Sequence, residues 1–409
     1  MLPQSSVVGP LVTYSVIGHK QSKPLLSIVP IPGGTLPPPS CNFERQSKNQ
    51  PCSIFSPGGV EPNFYTPTIQ QWSLTIERQL TANLMLRLGY VGSEDFHMPL
   101  SEDMNIPIPL FCNNAAGCAS GGVSGVVGQV PQGKEYVPIA PLANPYVANT
   151  YSWFFAGTNR YHAANVSLVK RASRGLTFKA NYSFSKVIDN QSATAGTNGT
   201  NEPILLENRY NIGLSHGLAA FNLQHQFNAN FSYELPFGAG KYFGSGATGF
   251  WDKLIGGWQW NGIIQAQGGF PITPQVGRNI SGTGDTRNPD VVDRNPAFTG
   301  PLVLGKPGHW FDPHAFLLPV PGTFGNAGRA VLKGPGLTEI DTSLFKKIPI
   351  NDRFNLQFRA EAFNILNHTN FGDPNPTTFS GNNYGPSAGV ITSTATTARQ
   401  LQFALRLTF

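Results

Sequence analysis

Apolar and polar residues alternate along much of the chain with a period of two, the spacing of a β-strand that has one apolar and one polar face. From Leu223 to Leu235, the residues Leu223, Phe227, Ala229, Phe231, Tyr233 and Leu235 share one face. Gln224, Gln226, Asn228, Asn230, Ser232 and Glu234 share the other. Leu176, Phe178, Ala180, Tyr182 and Phe184 alternate with Thr177, Lys179, Asn181, Ser183 and Ser185 in the same way. At the end of the chain Leu401, Phe403, Leu405, Leu407 and Phe409 oppose Gln400, Gln402, Arg406 and Thr408. Further runs cover Trp72 to Leu80, Leu84 to Gly92, Ala164 to Arg171, Trp258 to Gly268, Ile340 to Ile348, Phe354 to Ala362 and Leu11 to Ile17. No segment of similar length carries a 3.6-residue stripe. Ala360 to Leu366 could form a short helix, but the alternation of Phe354, Leu356 and Phe358 runs into it and predicts a strand.

The connections alternate as well. Thr81 to Asn83, Ala172 to Arg174 and Pro349 to Asp352 are tight turns, and Pro236 to Gly257 is somewhat longer. Between them lie the long segments Ser93 to Tyr161, Val187 to Asn222, Gly269 to Leu337 and Asn367 to Ala398. A meander with short turns at one end and long loops at the other is the organisation of an outer-membrane barrel. The reading is all-β: an antiparallel up-and-down transmembrane β-barrel, present as a partial barrel of about ten strands with long extracellular loops. A soluble sandwich or propeller also alternates apolar and polar residues. Against it stand strands of about 9–13 residues, enough to cross a bilayer on a tilt, asymmetric loops, and a polar face of Gln, Asn and Ser. Aromatics mark both expected interfaces. Trp72, Tyr90, Tyr182 and Phe184 belong to the outer rim; Tyr233, Trp258, Trp260, Phe354 and Phe409 belong to the inner rim.

Composition sharpens this picture. Only 12% of the 409 residues are charged, against roughly 25% in ordinary soluble domains. Gly, Pro, Asn, Gln, Ser and Thr fill the deficit. Aromatics at 11% exclude a disordered chain. The net charge of +6 is spread without a basic block, so nucleic-acid binding is not expected. No run of about 18 apolar residues could form a transmembrane helix. Met1 to Ser6 carries no basic or apolar leader, so no cleavable signal peptide is expected.

The candidate chemical motifs are weak. Gly213-Leu214-Ser215-His216-Gly217 matches a nucleophile elbow, but no helical pattern follows it. Gly244-Ser245-Gly246-Ala247-Thr248-Gly249 matches a dinucleotide fingerprint, but it lacks a preceding parallel strand, a following helix and the acidic ribose partner. It reads as a flexible periplasmic turn. His309 and His314, with Asp312 nearby, lie on a Pro/Gly-rich loop and read as solvated. No catalytic residue, cofactor or metal site is expected. The cysteines fall as Cys41/Cys52 and Cys112/Cys118, close pairs in outside loops that suit local disulfides in an oxidising compartment. A terminal aromatic behind an alternating strand, Phe403, Leu405, Leu407 and Phe409, resembles the signal read by the outer-membrane insertion machinery, and a free strand edge can add to a partner's sheet; the alternative is that Phe409 is one more interfacial aromatic.

Several stretches resemble a known family. They include Gln70-Gln71-Trp72-Ser73-Leu74, Leu88-Gly89-Tyr90-Val91-Gly92-Ser93, Gly175 to Lys186, Glu234-Leu235-Pro236-Phe237-Gly238 and Gly256-Gly257-Trp258-Gln259. Further stretches are Trp310-Phe311-Asp312-Pro313, Gly325-Asn326-Ala327-Gly328-Arg329, Phe358 to Asn364 and Ile391 to Ala395. In this order they resemble the C-terminal part of the β-barrel of Oar-like TonB-dependent receptors, most clearly over 66–409. Where that family tends to carry a basic pair around a histidine, this chain has Gln224-His225-Gln226.

The resemblance implies a 22-stranded barrel with a plug and an N-terminal regulatory-like domain. Neither precedes the strands here, so residues 1–409 are expected to be the C-terminal portion of such a barrel, a fragment. The implied function is transport or reception at the outer membrane of a Gram-negative bacterium, with uptake through a plugged lumen energised by TonB. The expected partners are outer-membrane lipid, the insertion machinery, TonB through the missing N-terminal parts, and a transported ligand the sequence does not identify. The alternative is an outer-membrane structural or adhesion protein whose loops bind partners.

Overall fold

Nine long strands build one wall. In the computed structural model, which describes residues 12–14, 26–28, 59–60, 65–122, 127–140, 142, 150–192, 206–284, 290–350 and 354–408, they are β1 Thr68–Thr81, β2 Leu84–Asp103, β3 Tyr151–Ser173, β4 Leu176–Asp189, β5 His225–Glu234, β6 Trp258–Gln267, β7 Leu337–Pro349, β8 Asn355–Phe363 and β9 Gln400–Thr408. Each pairs with its sequence neighbour, antiparallel throughout, from β1 at one edge to β9 at the other. Two short pieces join this path. Gly217–Leu218 pairs with β4, and Gly59–Val60 pairs in parallel with β3. The edges do not meet, so the wall is open rather than a closed barrel.

The register keeps each face uniform. Phe178 sits opposite Phe231, Tyr182 opposite Phe227 and Leu176 opposite Tyr233. The apolar row continues through Trp260, Leu344, Ala360 and Phe403. Because side chains alternate between faces, a one-residue slip would turn every apolar side chain to the polar side. Two glycines serve this face by their lack of a side chain. A Cβ at Gly92 would stand 2.5 Å from the Trp72 ring, and one at Gly262 would run into the Phe231 ring. Each glycine therefore lets an aromatic from the neighbouring strand lie flat across it.

The structure corrects three expectations. First, the strand reading of Leu11 to Ile17 does not yield a wall strand. Val12–Tyr14 pairs only with Leu26–Ile28, as a separate two-stranded sheet. Second, the segment from Ser93 to Tyr161 is not loop throughout. β2 runs for 20 residues and β3 for 23, and they stay paired out to Tyr151 opposite Asp103. At about 3.3 Å per residue β2 reaches roughly 66 Å, well past a hydrocarbon core of about 30 Å. Ser93 to Asp103 loses the two-residue alternation, because beyond the membrane neither face has to be apolar. Backbone pairing with β3 holds this extension together instead. Third, the Gly244-to-Gly249 turn is followed by a helix, α1 Gly249–Ile255. The connection around it folds on itself: Gly238 N–H donates to Phe243 O, Phe243 N–H to Pro236 O, Ala247 N–H to Gly244 O at 2.9 Å, and Ala239 N–H to the Asp252 carboxylate at 2.6 Å.

The hydrophobic core lies in the long loops. Ile272, Val276, Ile280, Val292, Phe311, Phe316, Leu332 and Phe379 are all buried together. They come from the β6–β7 and β8–β9 connections, at the end of the wall opposite the short turns. The loops fold into a cap with its own interior.

Candidate functional site

The polar face of the wall is one candidate surface, and the cap above it is the other. On the wall, polar side chains bridge neighbouring strands. Ser183 Oγ donates to Asn165 Oδ1 at 2.6 Å. Gln259 Nε2 donates to Ser232 Oγ at 2.6 Å and to Asn261 Oδ1 at 3.0 Å. Glu77 and Arg87 pair across β1 and β2 at 2.6 Å. Arg359 is held by Gln357 Oε1 at 2.8 Å and lies over the Phe345 ring at 4.9 Å. This is a hydrogen-bonding surface of largely neutral amides and hydroxyls, fit to line water and polar solutes rather than to bind one strong ion.

The cap is stitched by buried polar groups that belong to different loops. Arg329 enters from the β6–β7 connection. Its guanidinium pairs with Asp189 at the end of β4 and donates to Ser215 O at 3.1 Å and Leu218 O at 3.0 Å. Both partners of the ion pair are almost fully buried, and desolvation pulls the arginine down to about 10. Removing either partner would strand a charge, the costly case for buried pairs. Glu207, from the β4–β5 connection, accepts from Gly325 N at 3.1 Å and Val291 N at 3.3 Å. Burial, with repulsion from Asp290 second, raises its carboxyl from 4.5 to about 8. Asp290 accepts from the Ile280 and Ser281 N–H groups and from Ser281 Oγ, and burial raises it to about 6. Both carboxyls, with Asp103, Arg209 and Asn279, line a cavity of about 10 Å³, the room of a single water. The β2–β3 connection is tied in through Val137 N–H donating to Gly322 O at 2.6 Å and through Ser120 Oγ donating to Pro321 O.

Cys112 and Cys118 form a disulfide in this cap, their Cα atoms 5.7 Å apart. Cys41, Cys52 and Phe409 lie outside the described residues. Phe403, Leu405 and Leu407 project from the exposed edge strand β9. Trp72 and Tyr90 meet at the cap end of the wall. Trp72 Nε1 is 3.4 Å from the Tyr90 hydroxyl, which in turn is 2.8 Å from His162 Nδ1. Tyr182 makes the same contact with His225 Nδ1 at 2.8 Å, with Phe184 beside the ring. These two histidines belong to the aromatic band and were not foreseen from their isolated positions. Tyr233, Trp258 and Trp260 lie at the opposite end, near the short turns. Ser215 sits in a 3-10 turn, Ile212–Ser215, with its carbonyl spent on Arg329. His314 pairs with Asp312 at 2.9 Å, and Asp312 caps the 3-10 turn Pro313–Ala315 by accepting from the His314 N–H.

Sequence reading missed the Glu207, Asp290, Asp189 and Arg329 group. No local signal marks it, because a charged loop residue is ordinarily solvated and these partners stand far apart in sequence.

The chain is similar to solved outer-membrane transporters. It shares 12% identity with the outer-membrane transporter YddB of Escherichia coli over 87% of this chain and 34% of that one, with a TM-score of 0.44. It shares 12% with a mutant of the ferric enterobactin receptor PfeA of Pseudomonas aeruginosa over 85% and 32%, TM-score 0.39. With the FrpB iron transporter of Neisseria meningitidis it shares 10% over 86% and 32%, TM-score 0.37. The chain thus spans about a third of the length of these structures. No curated protein matches it. The family model described as "Outer membrane beta barrel domain" matches residues 9–402. With that match across nearly its whole length, an open antiparallel wall of alternating faces and loops gathered at one end, this chain belongs to the outer-membrane β-barrel domain family and to the outer membrane.

Proposed function

We propose that the chain is part of the barrel wall of an outer-membrane receptor and transporter of the Oar-like TonB-dependent type. The carrying observation is the pairing of a continuous polar wall face with a folded cap over one end of it. A wall lined with Asn, Gln and Ser passes polar solutes, and an ordered cap offers a surface that selects them. The open edges of β1 and β9 support the reading that further strands complete the lumen, since exposed strand edges are a liability in isolation. Uptake would then depend on a plug and on TonB. The ligand class is left open by the amide-rich lining.

The test is genetic. A deletion of the parent gene and a strain lacking TonB are compared for growth on a panel of sole nutrients. Loss of the same nutrient in both supports energised uptake. Loss of surface attachment with every uptake rate intact would replace this reading with the adhesion one.

The terminal strand is also proposed to be the address for membrane insertion. β9 is an unpaired edge, so its backbone is available to a partner sheet. Deleting Phe409 from the parent is expected to leave chain in the periplasm, as read by fractionation. Unchanged insertion would reduce Phe409 to an interfacial aromatic.

A further inference from the structure

At the short-turn end of the wall, the connection from β5 to β6 departs from the tight hairpins around it. It folds on itself and presents Phe237, Tyr242, Phe243, Phe250, Trp251 and Leu254 outward, all exposed. Tyr242 is 85% exposed, Phe250 72% and Trp251 65%. The orientation of α1 is inverted relative to a water-facing helix. Asp252 faces inward, where its carboxylate takes the Ala239 N–H at 2.6 Å, and the Ile255 side chain closes over Gly244. Phe250, Trp251 and Leu254 occupy the outer face.

The side of the wall on which α1 rests is fixed by two residues of the apolar face. Lys346 and Trp258 are direct cross-strand partners and share the parity of Leu344, Trp260 and Ile264. Lys346 stands on this face between Trp258 and Phe358 of the neighbouring strands, and its amine is turned toward the turn. Nζ donates to Leu254 O at 3.0 Å and to Gly256 O, and stands 4.7 Å over the Trp258 ring. Trp258 Nε1 donates to Leu254 O at 3.1 Å. Thus the C-terminal carbonyls of α1, which lack partners within the helix, are taken up by a lysine and an indole of the lipid-facing surface. The helix is strapped to the outside of the wall, not to its lumen. From there the aromatic row runs on through Phe358, 6.4 Å from Trp258, to Phe403.

We propose that residues 236–257 form an interfacial anchor, with α1 lying in the headgroup zone of the periplasmic leaflet and its Phe250, Trp251 and Leu254 face against acyl chains. Four observations select lipid as the occupant. The patch is continuous with the lipid-facing surface. It consists mainly of aromatics, which favour the boundary between headgroup and hydrocarbon. It lies at the height of the Trp258 and Trp260 rim. Lys253 is exposed beside it, placed for headgroup phosphates, and Lys241 stands there too, paired with Glu234 at 3.4 Å. The inference rests on the orientation of the wall in the membrane and not on what the protein transports.

The test is tryptophan depth measurement on the full chain in proteoliposomes of phosphatidylethanolamine and phosphatidylglycerol. The difference spectrum between the parent and Trp251→Phe isolates one indole. It is expected to emit at short wavelength, to be quenched by lipids brominated near the acyl carbonyl, and to be insensitive to aqueous iodide. Should Trp251→Phe fail to insert, Tyr242→Trp supplies the same reading as a gain of lipid-quenched signal. An indole signal, from Trp251 or from the Tyr242→Trp variant, that iodide quenches and brominated lipid does not would overturn the proposal and leave the patch to a periplasmic protein. Lys346→Ala is expected to shift the Trp251 signal toward iodide sensitivity, which would show that the strap sets the helix's position.

Discussion

Phe311 and Phe403 are the same residue placed under opposite rules. Phe311 is fully buried in the cap, and Phe403 is 69% exposed on the wall. The cap follows the logic of a water-soluble domain, with apolar residues inside and polar groups paired when buried. The wall inverts it, with apolar residues outward and amides on the other face. One chain therefore solves two solvent problems, switching between them at the strand ends. The transition is marked by the Trp72–Tyr90–His162 and Tyr182–His225–Phe184 contacts. Stability in the cap comes from local burial. Stability in the wall comes from cross-strand hydrogen bonds, which become valuable only where no water competes for them.

The largest effect should come from emptying the cap. Phe311→Ala removes a ring that shares the buried core with Phe316 and Ile272, and should cost about 3–5 kcal/mol. Cap unfolding is read by near-ultraviolet circular dichroism. The parallel change Phe403→Ala should leave that signal intact. Equal effects at the two positions would dissolve the distinction between the regions.

Next comes a charge on the wall. Phe178→Arg puts a guanidinium into lipid and should cost about 2–4 kcal/mol of wall stability. Thr177→Arg, one residue away on the polar face, should be mild. Urea unfolding in lipid vesicles measures both. Comparable losses would mean that the faces are wrongly assigned.

The third prediction concerns pH in the cap alone. Glu207 has a folded-state value raised from 4.5 to about 8, and Asp290 one raised from 3.8 to about 6. A carboxyl raised on folding holds its proton more tightly in the folded state. Its stabilising contribution is complete below the unfolded value and is lost as pH climbs through the folded one. The cap should loosen between about pH 4.5 and 8 from Glu207, and mostly below pH 6 from Asp290. Hydrogen exchange at the Val291 and Gly325 amides should speed up over this range after correction for intrinsic rates. Glu207→Gln keeps an acceptor for both amides and should flatten the response. A wild-type response that survives Glu207→Gln, or no response at all, would remove Glu207 from this role.

The wall was legible in the sequence because its physics is local. A period of two needs only neighbouring residues, so Leu223 to Leu235 and Gln400 to Thr408 announce their faces without tertiary knowledge. The extension of β2 to Asp103 was hidden because outside the membrane nothing enforces alternation, and only the partner β3 reveals it. The cap was hidden for the opposite reason. Its contacts join residues distant in sequence, such as Asp189 with Arg329 and Glu207 with Gly325. Even so, its anchors stood among the stretches that carried the family resemblance. Trp310 to Pro313 holds Phe311 of the core, and Gly325 to Arg329 holds the arginine that ties the loops. Asn364 ends the Phe358-to-Asn364 stretch at a positive φ of 47°, and its side-chain amide donates to His368 O at 2.9 Å and to Thr397 O at 3.0 Å. The helix α1 escaped because seven residues are too few for a periodic signal.

The central claim is that the apolar face of the wall meets lipid and the polar face meets water. β5 tests it best, because it lies within the wall and is paired on both sides. Single cysteines at successive positions from Phe227 to Ser232, in a background with Cys41 and Cys52 changed to Ser, are exposed in outer membranes to a membrane-impermeant maleimide. Labelling is expected at Asn228, Asn230 and Ser232, with protection at Phe227, Ala229 and Phe231. Uniform labelling along the strand, or labelling in the opposite phase, would contradict the claim.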